Sequence, residues 1–214
     1  PYLETVANAR AGHPLAWVRM YLPDSAGESG LIVTPALYQY LVEANDLRPR
    51  LDVLLRQLDL ADEALVEAVS ERLVSILTAA GLPERLRTEL EIEAMELTRG
   101  GGQLEVLALA GSGENAVLIG RQSGVRAADF FTAWLGAVCC KFSPSALTLR
   151  LGLGLADEEH PLTVLAYPCD KDAVQSCDLW QGGPDAGALL RRLGQVVPRI
   201  SQLHVFSSQG EALR

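Results

Sequence analysis

Apolar residues recur at helical spacing through most of the first hundred residues, and at every second position or in unbroken runs through much of the rest. In TPALYQYLVEANDL, Thr34 stands where an N-cap belongs and Pro35 takes the first helical position; Leu37, Tyr40, Leu41 and Ala44 then follow at helical spacing. ADEALVEAVSERLVSILTAAG lines up Leu65, Val69, Leu73, Ile76 and Leu77 along one stripe, with Gly81 as the stop. LPERLRTELEIEAMELTRGGG opens on Pro83 and runs out into glycines, which predicts a further helix. Ahead of these, GLIVT predicts a short buried strand.

The pattern then changes. QLEVLALA, AVLIG, LTLRLGLGL, LTVLAY and LHVF predict strands, with helices between them at about 126–141 and 185–197, the second capped by Asp185. Phe130, Phe131 and Trp134 cluster on the first of these helices and predict core. The glycines at 100–102 mark the boundary between a helix-rich part, 1–103, and a mixed α/β part, 104–214. The fold class is therefore α/β (α+β). One stretch, LALAGSGENAVLIG, admits two readings: a glycine loop that cradles phosphate, or a turn between two strands. Gly111-Ser112-Gly113 leads into a strand and not into a helix N-terminus, which favours the turn.

Charge narrows the partners. The formal charge is −9, and residues 1–105 carry 9 Lys+Arg against 17 Asp+Glu while residues 106–214 carry 9 against 10. An acidic first half argues against nucleic acid, whose binding is dominated by phosphate neutralisation. No apolar run approaches the roughly 20 residues of a membrane span. Glu4, Arg10, His13 and Arg19 interrupt any signal-peptide core, so a cytoplasmic address is expected. The cysteines at 139, 140, 169 and 177 form no Cys-x-x-Cys pair and have no histidine at ligand spacing, so no metal site is expected. His13, His160 and His204 are scattered, and the Asp157-Glu158-Glu159-His160 run predicts a solvated loop.

Val33-Thr34 leads into Ala36 to Tyr40 and a helix, then Glu43-Ala44-Asn45-Asp46-Leu47, then a helical pair closing on Leu82-Pro83. Further along, AWLGAVCCKFSPSALTLR carries Phe142, Ser143, Ala146 and Arg150; PLTVLAYPCDKDAVQSCDLW and RISQLHVFSSQGEALR come after it. In that order, over residues 30–214, these segments resemble the ATP-binding domain of phosphoenolpyruvate synthase and pyruvate phosphate dikinase. The resemblance implies an ATP-grasp-like, two-lobed domain with a helical N-terminal part and a sheet-rich C-terminal part. It further implies ATP with Mg²⁺ as cofactor and phosphoryl transfer to a histidine on a separate domain. Such chemistry needs cations around the phosphates and carboxylates on the metal.

Several of those groups are replaced here. Where the family has Val-Arg-Ser-Ser-Ala and then Thr-x-Glu-Asp, this chain puts Ala108 at the arginine, Leu109 and Ala110 at the serines and Glu114-Asn115 at the acidic pair. Ala11 falls at the family's lysine, and Glu211 alone remains of the acidic pair before the closing strand. The nucleotide-binding candidates that survive are Arg150, Arg121 and Gln122 (after Gly120, where the family has Gly-Gln-Gln) and Glu114. Lys141 and Lys171 are substitute phosphate contacts. The simpler uses of these residues are ion-paired strand-edge arginines and lysines on solvated faces. No catalytic residue is assigned. The expected function is a degenerate dikinase-type nucleotide-binding domain acting mainly as an interaction or regulatory module, with another protein as partner and neither nucleic acid nor membrane. The alternatives are a functional ATP-binding lobe of a phosphoenolpyruvate synthase-like phosphotransferase whose other domains lie elsewhere, and an unrelated assembly or scaffold protein.

Overall fold

The computed structural model describes residues 1–169 except 27, 100, 114–115, 153, 155–156 and 158–159, together with 177–178, 205–206 and 212–213. The fold is mixed α/β. Six strands, β1 (Leu3–Thr5), β2 (Leu31–Val33), β3 (Gln103–Ala110), β4 (Val117–Arg126), β5 (Leu162–Cys169) and β6 (Cys177–Asp178), form a sheet in the order β1-β2-β5-β3-β4-β6. Every neighbouring pair is antiparallel. Val205–Phe206 (β7) and Ala212–Leu213 (β8) pair separately.

The period of two along the strands sorts side chains to two cores. Leu104, Val106, Ala108 and Ala110 of β3 and Leu162, Val164 and Ala166 of β5 face a helical layer. That layer consists of α1 (Pro35–Ala44), α2 (Arg48–Leu55), α3 (Glu63–Thr78), α4 (Glu84–Leu97), α5 (Phe130–Cys140) and α6 (Pro144–Gly152). Leu107, Leu109, Leu165 and Tyr167 face the other way, onto Val6, Ala9 and Val18 of the N-terminal segment. Because β2 pairs with β5, and α3 and α4 both pack on α5, residues from both sides of the 100–103 boundary share one sheet and one core.

Most helices start where their sequences say. Asp62 caps α3 by accepting from the Leu65 N–H at 3.1 Å. Pro35 opens α1, although the Thr34 hydroxyl turns back to donate to the Pro1 carbonyl at 2.9 Å instead of capping. LTLRLGLGL is a correction. Its alternating leucines predict a strand, but Pro144–Gly152 is helical. Ser143 supplies the start, its Oγ accepting from the Ala146 N–H at 3.3 Å, and Ala146, Leu147, Leu149 and Arg150 are buried at helical spacing. The short helix α2, which the sequence pattern did not single out, buries Leu51 and Leu54. Residues 185–197, with Asp185, lie outside the described residues, as do Lys171, His204 and Glu211.

The glycine stretch is a turn. β3 and β4 are antiparallel neighbours, so the segment between them closes a hairpin, with Gly111 at φ +91° and Gly113 at φ +59°. The Gly111 N–H donates to the Pro161 carbonyl at 2.8 Å, pinning the hairpin to the start of β5. Lower in the same hairpin, Gly120 pairs with Ala108 directly under α5, and a Cβ there would lie 2.6 Å from Cys140 Sγ and 3.1 Å from its Cβ. Gly120→Ala should therefore cost about 1–3 kcal/mol by overpacking, read as a lower urea midpoint. An unchanged midpoint would show that α5 can lift off the sheet without penalty.

Candidate functional site

Among the described residues, Lys141, Arg150, Asp157 and His160 are buried together at one end of the sheet. There β2 runs into α1, β3 turns into the hairpin, and residues 157–161 lead into β5. Tyr38 sits one turn into α1, Arg48 opens α2, Lys141 follows the last residue of α5 and Arg150 lies in the last turn of α6. All four converge on Asp157. The Tyr38 hydroxyl donates to Oδ2 at 2.8 Å, and Arg48 Nη1 reaches the same oxygen at 3.1 Å. Lys141 Nζ and Arg150 Nη1 meet Oδ1 at 2.8 and 2.7 Å. Lys141 also donates to the Asp157 carbonyl at 2.9 Å.

Both cations on Oδ1 are 1% exposed, and the carboxylate 6%. Burying three such charges is tolerable only because each is paired at hydrogen-bond distance. Aromatic rings complete the lining: Lys141 Nζ lies 4.5 Å from the centre of the Tyr38 ring and Arg150 Cζ 5.3 Å from that of Phe142. The Ser70 hydroxyl donates to the Phe142 carbonyl at 2.7 Å and ties α3 to the same corner.

The pKa shifts follow from burial and neighbours. Burial alone would push the Asp157 carboxyl up, but Lys141 and Arg150 outweigh it and hold the group below its ordinary value. Burial brings Lys141 down to about 8 against the pull of Asp157. Burial, and then the charges on Lys141 and Arg150, take His160 down to about 4. Tyr38 is pushed up by burial and by Asp157.

His160 gives a pH prediction. Its folded pKa, about 4, lies below the ordinary 6.5, so as pH falls through that window the unfolded chain binds the proton first and stability drops. The loss by pH 4 should be on the order of 3 kcal/mol relative to neutral pH. Urea unfolding at a series of pH values should show it, and His160→Gln should flatten that part of the profile. An equally steep profile in the variant would assign the effect elsewhere.

A shallow cleft opens over the cluster, lined by Pro35, Tyr38, Gln39, Arg48, Lys141 and Asp157. The space in it that a water centre can occupy is about 10 Å³, enough for about one water molecule.

The other sequence candidates are placed elsewhere. Arg121 lies on β4 on the opposite face of the sheet from Arg150 and pairs with the buried Glu105. Gln122, its neighbour along the strand, points to the helical face, where its Nε2 donates to the Ala133 carbonyl at 3.2 Å. Glu114 and Lys171 lie outside the described residues. Ala108, Leu109 and Ala110 are all buried in β3. Two expectations are corrected. Lys141 is not on a solvated face, and Asp157 and His160 do not lie in a solvated loop; all three are buried, Lys141 and Asp157 as an ion pair at 2.8 Å. Trp134 and Phe130 are core, as their clustering predicted, and Cys140 is buried beside them; burial also pushes the Cys139 thiol up to about 11.

Tyr38 and Arg48 were not legible as site residues. Lys141 carried a signal that could have been read: it is one of two lysines in the chain and ends the apolar run AWLGAVCC. Among the described residues no three His, Cys, Asp or Glu side chains are grouped so that they could hold a metal ion. Nor is any described helix long and apolar enough to cross a membrane. Compared with known protein families and with curated proteins, the sequence matches none.

Proposed function

We propose that the chain is a reduced, dikinase-type domain of two-lobed, ATP-grasp-like ancestry that works in the cytoplasm as an interaction or regulatory module, with another protein as its partner. What supports this is the use made of its cations. Arg150, which takes the place of the resembled family's closing arginine, and Lys141, the nearest substitute for a phosphate-binding lysine, are both buried and both bonded to Asp157. Both are committed to Asp157 and hold α5, α6 and the start of β5 together, so their N–H groups toward that carboxylate are already used within the chain. A triphosphate would have to displace an internal carboxylate that receives four donors.

The test is thermal unfolding with Mg²⁺ and ATP, ADP or AMP. A ligand at a hundred times its Kd adds about 2.7 kcal/mol and raises the melting temperature visibly. No shift at millimolar nucleotide is the expected result. A shift that Arg150→Met abolishes would instead favour the ATP-binding lobe of a phosphotransferase.

A further inference from the structure

We infer that the pocket formed by Tyr38, Arg48, Lys141 and Arg150 is an oxyanion site that Asp157 fills from within the chain. The donors come from α1, α2, the end of α5 and α6, and they converge two by two on the two oxygens of one carboxylate. That is the arrangement by which proteins hold a small carboxylate or a phosphate, with charged donors sharing its oxygens. Asp157 does not exhaust it. Arg48, Lys141 and Arg150 bring three positive charges to one carboxylate, and Arg150 Nε and Nη2 are buried with no hydrogen-bond partner among the described residues. A buried donor left unmade is costly, and an oxyanion with a third or fourth oxygen could take it. Tyr38, Arg48, Lys141 and Asp157 also line the cleft, whose free space holds about one water molecule while Asp157 is seated.

The class of ligand is a small anion with two or more oxygens, either a short carboxylate or inorganic phosphate. While Asp157 is seated it competes with that ligand as an intramolecular partner. Vacating the seat therefore turns a structural lock into a binding site. This is independent of whether the chain binds nucleotide, because it concerns the four donors alone.

Chemical rescue tests it. Asp157→Gly and Asp157→Ser remove the internal carboxylate and leave room for an external one. Each is melted in sodium formate, sodium acetate or sodium phosphate, and in sodium chloride of the same ionic strength. At anion concentrations near ten times Kd, the variants should melt about 4 °C higher than in chloride. The unaltered chain should show no such difference, and adding Arg150→Met to either variant should abolish it. If a variant is unfolded in chloride, recovery of native circular dichroism with formate or phosphate is the supporting result. Formate and acetate acting without phosphate would assign the pocket to carboxylates, and the reverse to phosphate. Anion-specific stabilisation that is absent from both variants, or that survives Arg150→Met, overturns the inference.

Discussion

Asp157→Asn should destabilise the fold by about 3–5 kcal/mol, the range for removing one partner of a buried ion pair. Asparagine keeps the shape of the side chain but not its charge, and its amide would direct N–H groups at donors. Lys141 and Arg150, each 1% exposed, would then lose the carboxylate that compensates them. The variant should also behave distinctively with pH. Lys141 is already down to about 8 with Asp157 beside it, and losing the carboxylate removes the chief influence holding it up. A lysine whose folded pKa lies below its unfolded value makes the fold more stable as pH rises through the window between them. Urea unfolding should therefore show the variant regaining part of its loss between neutral pH and pH 9. A loss below about 1 kcal/mol, the usual worth of an exposed pair, would mean that the cluster is effectively solvated.

Trp134→Ala should cost about 3–5 kcal/mol, the range for truncating a large buried aromatic. Trp134 is 1% exposed at the centre of α5, the helix that packs against β3, β4, α3 and α4 together. Its ring lies 6.0 Å from that of Phe131, tilted by 32°. The cavity left behind would be walled by elements that all depend on α5, so collapse around it can relieve little of the strain. Circular dichroism against urea measures the loss, and a cost under 1 kcal/mol would show the layer to be loosely packed around this ring.

How much of this the sequence could show depends on the range of each interaction. Thr34-Pro35 and Pro83 announce helices α1 and α4 because first-turn preferences are decided within a few residues, and the apolar stripe from Leu65 to Leu77 announces α3. The alternation in QLEVLALA gives both faces of β3 for the same local reason. LTLRLGLGL misleads because leucines at every second position fit a strand, while the Ser143 cap and the burial of Leu147, Leu149 and Arg150 against the helical layer decide for helix. The charged cluster was the least legible feature. Tyr38 and Asp157 are 119 residues apart in sequence, and Arg48 and Asp157 are 109, so no spacing rule connects them. Arg150 was picked out by resemblance to a nucleotide-binding family, but its bond is to Asp157, seven residues further along. Arg121 and Gln122 were grouped with it because they follow Gly120 where the resembled family has Gly-Gln-Gln, although consecutive strand residues point to opposite faces.

The most direct measurement is a double-mutant cycle of Asp157→Asn and Arg150→Met, followed by urea unfolding. If Arg150 is committed to Asp157 inside the fold, the two losses should fall short of additivity by about 2 kcal/mol or more, with the double variant hardly less stable than the worse single one. Losses that add to within about 0.5 kcal/mol would show that the two residues act independently, and would contradict the claim that Arg150 is held by Asp157 inside the fold.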